Sequence, residues 1–361
     1  MQVLMFMPRN MRFGPRNATS IDLCVHDLVA NSRHRESTTI LCCENEPLFD
    51  GFAIETYTKA IDASKRRKLA FALERVHAKS PDLIVVQQHL PTAVALAKKT
   101  SIPVILHKHN FVRPINGSSL GERLRRHWRL HQLRSLAGLI FVSHACKAAF
   151  QLDWPEVQSP LSVVSNGLQF SQWASDAKAK EIICVSRAAP EKGVLESAEA
   201  IAAVLGTEKD WRARLILSEA DRMPEYASSI TKVLQPVCHR AIVDYDQPFE
   251  MVKGCFQRAA IAIVASKWKE PFGRVALEAH AAGCAVITSG TGGLSEISAE
   301  HAEVLPDGFG VDDIIHRLTH LIKAPARREE LAKSGRAYCK TKFDISQVSK
   351  QADAFYESIA R

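Results

Sequence analysis

Short apolar runs alternate with longer amphipathic ones along this chain. Six runs in the first half, at 2–7, 37–43, 82–88, 103–109, 138–143 and 161–166, have the length and composition of buried strands. Six more follow at 181–187, 213–218, 240–245, 260–266, 285–290 and 302–306. Segments of helical period lie between them, for example 20–32, 91–100 and 194–206. Strands alternating with helices mean parallel sheets covered on both faces. Two such series predict an α/β protein of two Rossmann-like, doubly wound parallel-sheet domains facing a cleft. The polar segment 168–180 separates the series. The expected domains are therefore 1–170 and 171–344, with an amphipathic helix at 345–361 returning to the first.

Ligands of open parallel sheets bind beyond the carboxyl ends of the strands. The polar residues there become the first candidates: Asn10, His89, His107, His109, Ser143, Asn166, Arg187, Ser218, Asp246 and Ser266. Composition narrows the class. A length of 361 residues suits two cores rather than one. With 46% apolar and 24% charged residues, the chain is of the ordinary globular kind. No run approaches the ~18 apolar residues of a spanning helix. The first residues read as a strand, with neither the basic region nor the cleavage site of a signal peptide. The nine cysteines form no C-x-x-C pair, and several sit inside apolar runs. They read as reduced thiols of a cytoplasmic protein, with no disulfide framework and no zinc site.

The net charge of +8 favours anionic partners, and it is unevenly placed. Nine basic residues fall in 64–68 and 123–134. The second stretch reads as a helix over 121–138, with a broken leucine stripe and Trp128 among arginines. Two readings stay open for it: a helix packed on the first sheet, or one making peripheral contact with an anionic membrane. Nucleic acid is not expected, because no recognition motif or aromatic platform accompanies the charge.

Three loops carry candidate chemistry. After the first strand there is no G-x-G-x-x-G, only Gly14, which argues against a nicotinamide dehydrogenase. Arg12, Gly14, Arg16 and Asn17 remain candidate anion or sugar contacts ahead of a helix start, against the plainer reading of a solvated loop. After the run at 181–187, Arg187 and Lys192 suit a diphosphate: arginine forks onto two oxygens and lysine adds a point charge. The plainer reading is a surface turn. The third loop sets Glu270 before Pro271, Phe272 and Gly273, with Arg274, Val275 and Glu278 in the helix that follows. Two helical turns span ~7 residues and ~11 Å. Glu270 and Glu278 would therefore meet different ends of one extended ligand, each able to accept from a vicinal diol. The plainer reading is a pair of helix-start acids favoured by the macrodipole.

This third loop resembles the E-x7-E signature of retaining GT-B glycosyltransferases, in particular glycosyltransferase family 4. Glu270, Pro271, Phe272, Gly273, Val275, Leu277, Glu278, Ala279, Gly283, Val286, Ile287, Gly292, Gly293, Glu296 and Ile297 stand in register with the family pattern. The segment 186–194 is similar to the family's diphosphate loop, with Ser186 in place of a glycine, and Asn166 and Gly167 match another short motif. The resemblance implies that Arg187 and Lys192 bind the donor diphosphate and stabilise the leaving group. It implies that Glu278 holds the ribose, and that Glu270 with the amides of Phe272 and Gly273 holds the sugar. Pro271, Arg274 and Val275 would belong to the same donor site. His109 would sit near the donor sugar, with Asn110 where the family has an acid and His107 as the rival histidine. Two departures stand out: a single glycine, Gly14, in the first loop, and Ser218, Glu219 and Ala220 where a G-x-G often occurs.

The implied activity is transfer of a hexose-type sugar from a nucleoside-diphosphate sugar to a glycan or lipid-linked acceptor. The setting would be synthesis of lipopolysaccharide or another surface polysaccharide, in the cytoplasm or on the inner face of the cytoplasmic membrane. No Asp-x-Asp motif is suitably placed, so no metal and no cofactor beyond the substrate is expected. The rivals are a nucleotide-sugar epimerase of the same fold and a non-enzymatic sugar-nucleotide binding protein.

Overall fold

The computed structural model describes the chain apart from residues 9, 10, 12, 17, 45, 46, 118 and 174–176. By its contacts the chain divides into two compact units, Met1–Gly167 with Ile345–Arg361, and Leu168–Asp344.

The first unit holds a parallel sheet of seven strands: β1 (Val3–Phe6), β2 (Thr38–Cys43), β3 (Ala53–Tyr57), β4 (Leu83–Gln87), β5 (Val104–Lys108), β6 (Gly138–Phe141) and β7 (Leu161–Val163). Their order is β3-β2-β1-β4-β5-β6-β7. The second unit holds six more parallel strands: β8 (Ala179–Arg187), β9 (Arg212–Ser218), β10 (Ala241–Tyr245), β11 (Ala259–Val264), β12 (Ala285–Thr288) and β13 (Glu303–Val304). Their order is β10-β9-β8-β11-β12-β13. In each sheet the winding reverses once, between β1 and β4 and between β8 and β11. Such reversals open a crevice at the carboxyl ends of the two central strands.

The expected α/β architecture of doubly wound sheets is present, and the central strands explain why it was readable. Every residue of β4 is buried, because helices cover both faces and leave no polar alternation. One strand escaped the pattern. β3 lies at the sheet edge with only Tyr57 buried, so its sequence has no apolar run to betray it. The helix expected over 121–138 runs only from Leu120 to Arg134. It stops because the Ala137 amide bonds the Val104 carbonyl at 2.9 Å and Gly138 opens β6.

The first core gathers Ile40, Val85, Ile105 and Ile140 from the sheet, with Val25 and Leu28 from the helix Ser20–Ala30. Val348, Ala352 and Tyr356 of the last helix, Ile345–Ala360, complete it. Each buried aliphatic side chain there contributes about 1.5–3 kcal/mol. Gly167 is required at the entry of that helix, since a Cβ would lie 2.9 Å from the Ile345 Cα. The second core is built around Ile182, Leu215, Ile261 and Ile287. None of the nine cysteines is joined in a disulfide, and only Cys238 is exposed.

The basic stretch 64–68 is less of a surface charge than its sequence implies. Lys68 is buried, bonded to buried Asp62 at 2.5 Å, with its ammonium 4.9 Å from the Tyr57 ring centroid. Among the described residues no helix is long and apolar enough to cross a membrane.

Candidate functional site

In the second unit, β8 ends at Arg187, and one 3-10 turn, Pro190–Lys192, leads to Gly193 and the helix Val194–Thr207. Gly193 has φ +63°, and a Cβ there would overlap the Ala265 carbonyl oxygen. Only glycine lets the loop after β8 come this close to the loop after β11. The Lys267 amide bonds the Glu191 carbonyl at 2.8 Å and fastens the two loops together. They meet where the winding of the sheet reverses.

Lys192 Nζ lies 2.5 Å from Glu270 Oε1 across this junction. The two side chains are only 15% and 12% exposed. The same ammonium stands 5.3 Å from the Trp268 ring centroid. Arg187 differs. It is half-exposed, 3.2 Å from Glu191 and 3.7 Å from Glu219. Exposed pairs of that kind contribute about 0–1 kcal/mol, so an incoming anion displaces those carboxylates at little cost. The Lys192–Glu270 pair is better shielded from water, and its attraction is correspondingly stronger. A lysine ammonium has three donors, so Lys192 can hold Glu270 and still bond a ligand.

The backbone that presents Glu270 is clamped from behind. Gly293 N donates to the Glu270 carbonyl at 2.8 Å, and Glu270 bridges Gly292 as an isolated parallel pair. Gly292 has φ +61°, and a Cβ there would overlap the Glu270 carbonyl oxygen. A Cβ at Gly293 would lie 2.5 Å from the Phe272 Cα. The glycine pair thus allows the loop after β12 to lie directly on 270–272. Residue matching marked these glycines, but their packing role emerges only in three dimensions.

Glu278 lies in the helix Arg274–Ala281, where Arg274 Nε donates to its Oε1 at 2.8 Å and both are buried. Glu270 and Glu278 therefore engage different cations. Phe272 sends its ring into the core, edge-on to Phe343 at 5.6 Å, so only its backbone is available to a ligand. Pro271 is buried, while Gly273 and Val275 are half-buried. Gly273 opens the helix at φ +103°. His280, two residues after Glu278, is packing: burial pushes it down to about 3, and Nε2 meets Ser298 Oγ at 3.2 Å.

The loop 218–220 has an unusual backbone. Glu219 takes φ +59° without being glycine, and its amide bonds Asp246 Oδ1 at 3.1 Å. Its carboxylate meets Arg222 at 2.9 Å as well as Arg187. A left-handed residue other than glycine costs of order 1 kcal/mol, which these bonds offset. Trp268, Glu219 and Asp246 are thus drawn into this region beyond the motif residues. Asp246 carried a signal, as a polar residue at a strand end; Trp268 had none.

In the first unit, His107 and His109 lie at the end of β5, stacked at 4.6 Å with their rings 22° apart. His109 Nε2 donates to Gln87 Oε1 at 2.8 Å, and its amide bonds Gln88 Oε1 at 2.9 Å. Burial holds both rings neutral, pushing His107 down to about 4 and His109 well below the usual histidine range. The two rings, Asn166 and Gly167 line a cavity of about 10 Å³, about one water molecule in size. In the loop after β1, Gly14 is buried and Arg16 exposed, while Asn10, Arg12 and Asn17 lie outside the described residues. The helix that follows starts with a closed cap. Thr19 N donates to Asp22 Oδ2 at 2.7 Å and the Thr19 hydroxyl accepts from the Asp22 amide at 3.4 Å. Burial raises the Asp22 carboxyl to about 6. Among the described residues no cluster of three or more His, Cys, Asp or Glu converges as metal ligands do.

Two family models match this sequence in succession. Glycosyltransferase Family 4 covers residues 52–172, and Glycosyl transferases group 1 covers 166–338. The putative glycosyltransferase YtcC of Bacillus subtilis is 23% identical over 320 residues, 79% of this chain and 75% of that protein. Spore coat protein SA of the same organism is 26% identical over 121 residues, and the match spans only 32% of its length. Among solved structures, HepE of Anabaena in complex with UDP and glucose superimposes with a TM-score of 0.75 at 17% identity, over 99% of this chain and all of that one. A glycosyltransferase of Rickettsia africae gives 0.78 at 12% identity, over 100% and 99% of the two chains. These likenesses show the GT-B fold. Matched by both models and folded in this way, the chain belongs to the group 1 and family 4 glycosyltransferases.

Proposed function

We propose that this glycosyltransferase is a retaining enzyme that moves a hexose from a nucleoside-diphosphate sugar to a glycan or lipid-linked acceptor of a surface polysaccharide. The second unit would hold the donor and the first the acceptor. The observation that carries the reading is the shielded Lys192–Glu270 pair at the winding reversal, with Arg187 at the adjacent strand end.

In this reading the diphosphate replaces Glu191 and Glu219 on Arg187 and takes the remaining donors of Lys192. As the bond from the anomeric carbon to the diphosphate oxygen breaks, negative charge grows on that oxygen. Fixed cations already aimed there stabilise it without reorganising. Glu270 accepts from the sugar hydroxyls, and Glu278 accepts from the ribose hydroxyls. The acceptor oxygen bonds the anomeric carbon on the face the diphosphate leaves, and its proton passes to the departing diphosphate. His109, neutral through burial, serves as a hydrogen-bond partner for sugar hydroxyls rather than as a charged group.

The test is a panel of nucleotide sugars, read by thermal shift and by slow release of nucleoside diphosphate. UDP-glucose comes first, since HepE was solved with UDP and glucose. One donor that stabilises the protein and is slowly hydrolysed is expected. Stabilisation by no nucleotide or nucleotide sugar would overturn the donor assignment. Conversion of a donor to its epimer without an acceptor would replace transfer by epimerisation.

A further inference from the structure

The helix Leu120–Arg134 leaves three of its large apolar residues in water. Leu120, Leu124 and Trp128 follow one another at i, i+4 spacing and so share one face, about 12 Å long. They are 73%, 62% and 58% exposed. Leu152, 83% exposed, lies two residues before Trp154, on which Arg126 of this helix stacks at 4.8 Å. These four are the most exposed large hydrophobic residues among those described; the next reaches only 45%.

Other contacts account for the packing of the helix. On the opposite side Leu133 is buried and Arg126 pairs with Glu156 at 2.9 Å, and at the helix end Gln132 is buried and Arg134 donates to the Glu156 carbonyl. The exposed stripe is therefore surplus to the fold. Its charge is one-sided. The helix carries five arginines and one acid, Glu122, and that acid is occupied in the capping box with Ser119. Arg123 and Arg125 are exposed beside the stripe.

We propose that this face docks on an anionic lipid bilayer. Leu120, Leu124 and Trp128 enter the interface, and Arg123 and Arg125 rest against lipid phosphates. Charge complementarity selects this occupant. A convex apolar stripe flanked by arginines fits a fluid anionic plane, and an amphipathic indole settles at headgroup level. The surface is independent of the donor loops, so it stands or falls separately from the donor assignment.

Vesicle co-sedimentation of the full chain tests the proposal, with vesicles of phosphatidylcholine alone or with about 30% phosphatidylglycerol. Binding to the anionic vesicles is expected to be at least roughly tenfold stronger and to fall with salt. Leu124→Ser with Trp128→Ser is expected to weaken it by about tenfold or more, with the melting temperature and any nucleotide-dependent thermal shift unchanged. Arg123→Ser with Arg125→Ser is expected to weaken it and flatten its salt dependence. Undiminished binding by the Leu124/Trp128 variant would overturn insertion. Absence of wild-type binding to either vesicle would overturn the proposal, and concentration-dependent dimerisation lost in the same variant would assign the face to a second copy of the chain.

Discussion

The carboxyl ends of β8 and β5 make an instructive pair. Both strands are interior, parallel and followed by polar residues. Beyond β8 those residues are charged: Lys192 holds Glu270, and Arg187 is shared by Glu191 and Glu219. Beyond β5 they are buried rings, with His107 stacked on His109 and both held neutral. The same backbone architecture thus offers positive charge in one unit and neutral polarity in the other. The first suits a diphosphate, and the second suits hydroxyl groups.

The largest effect should follow removal of the shielded cation. Lys192→Met is expected to lower turnover of the donor by about 100-fold or more, because Glu270 loses its partner as well. Arg187→Ala should lower it by about tenfold, since that cation is more exposed. Steady-state kinetics with the donor found in the panel decides; a larger loss at Arg187 would reverse the proposed ranking of the two cations.

Backbone clamping should come next. Gly293→Ala is expected to destabilise the protein by about 1–3 kcal/mol in urea unfolding, as overpacking does. Gly121→Ala is the control, since nothing lies within 4 Å of a Cβ there and alanine favours the helix. Equal stability of the two variants would dissolve the clamp.

The neutral histidines make a pH prediction. Folding holds His107 near 4 and His280 near 3, whereas the unfolded chain has both near 6.5. Between those values the unfolded state binds more protons, so stability is full above about 6.5 and falls on acidification towards 4. Each ring contributes on the order of 2 kcal/mol by pH 5. Thermal melts from pH 7 to pH 4.5 should show the slope, and His107→Gln should reduce it. A slope unchanged by that substitution would mean that His107 is not held neutral.

The smallest effect concerns Glu278. Glu278→Gln should weaken nucleotide binding by a few-fold in calorimetry, by replacing an ionic acceptor with a neutral one. Unchanged affinity would remove its ribose role.

Parallel strands were legible because burial on both faces erases polar alternation, and β4 is apolar up to its final Gln87. β3 was not, because an edge strand with one buried residue reads as loop. The loop from Glu270 to Glu278 was legible because close backbone approach restricts residue choice: no other side chain fits at Gly273, Gly292 or Gly293 without displacing neighbours. The partners of its charges were not legible. Nothing local announces that Lys192 faces Glu270, or that Lys68 turns inward to Asp62. The first pairing spans two loops and depends on the register in which they meet, and the second depends on the angle between two successive helices. Phe272 shows the same limit: its position in the motif was readable, but not that its ring leaves the site for the core.

The last helix belongs to the first unit, although the whole second unit precedes it in the chain. During synthesis the first sheet emerges early but lacks Val348, Ala352 and Tyr356 until residues 345–361 leave the ribosome. The second unit, contiguous in sequence, can close while the first still waits. A nascent chain stalled before Ile345 would therefore hold one finished unit and one with exposed apolar surface, and chaperone demand would fall on the half that was made first.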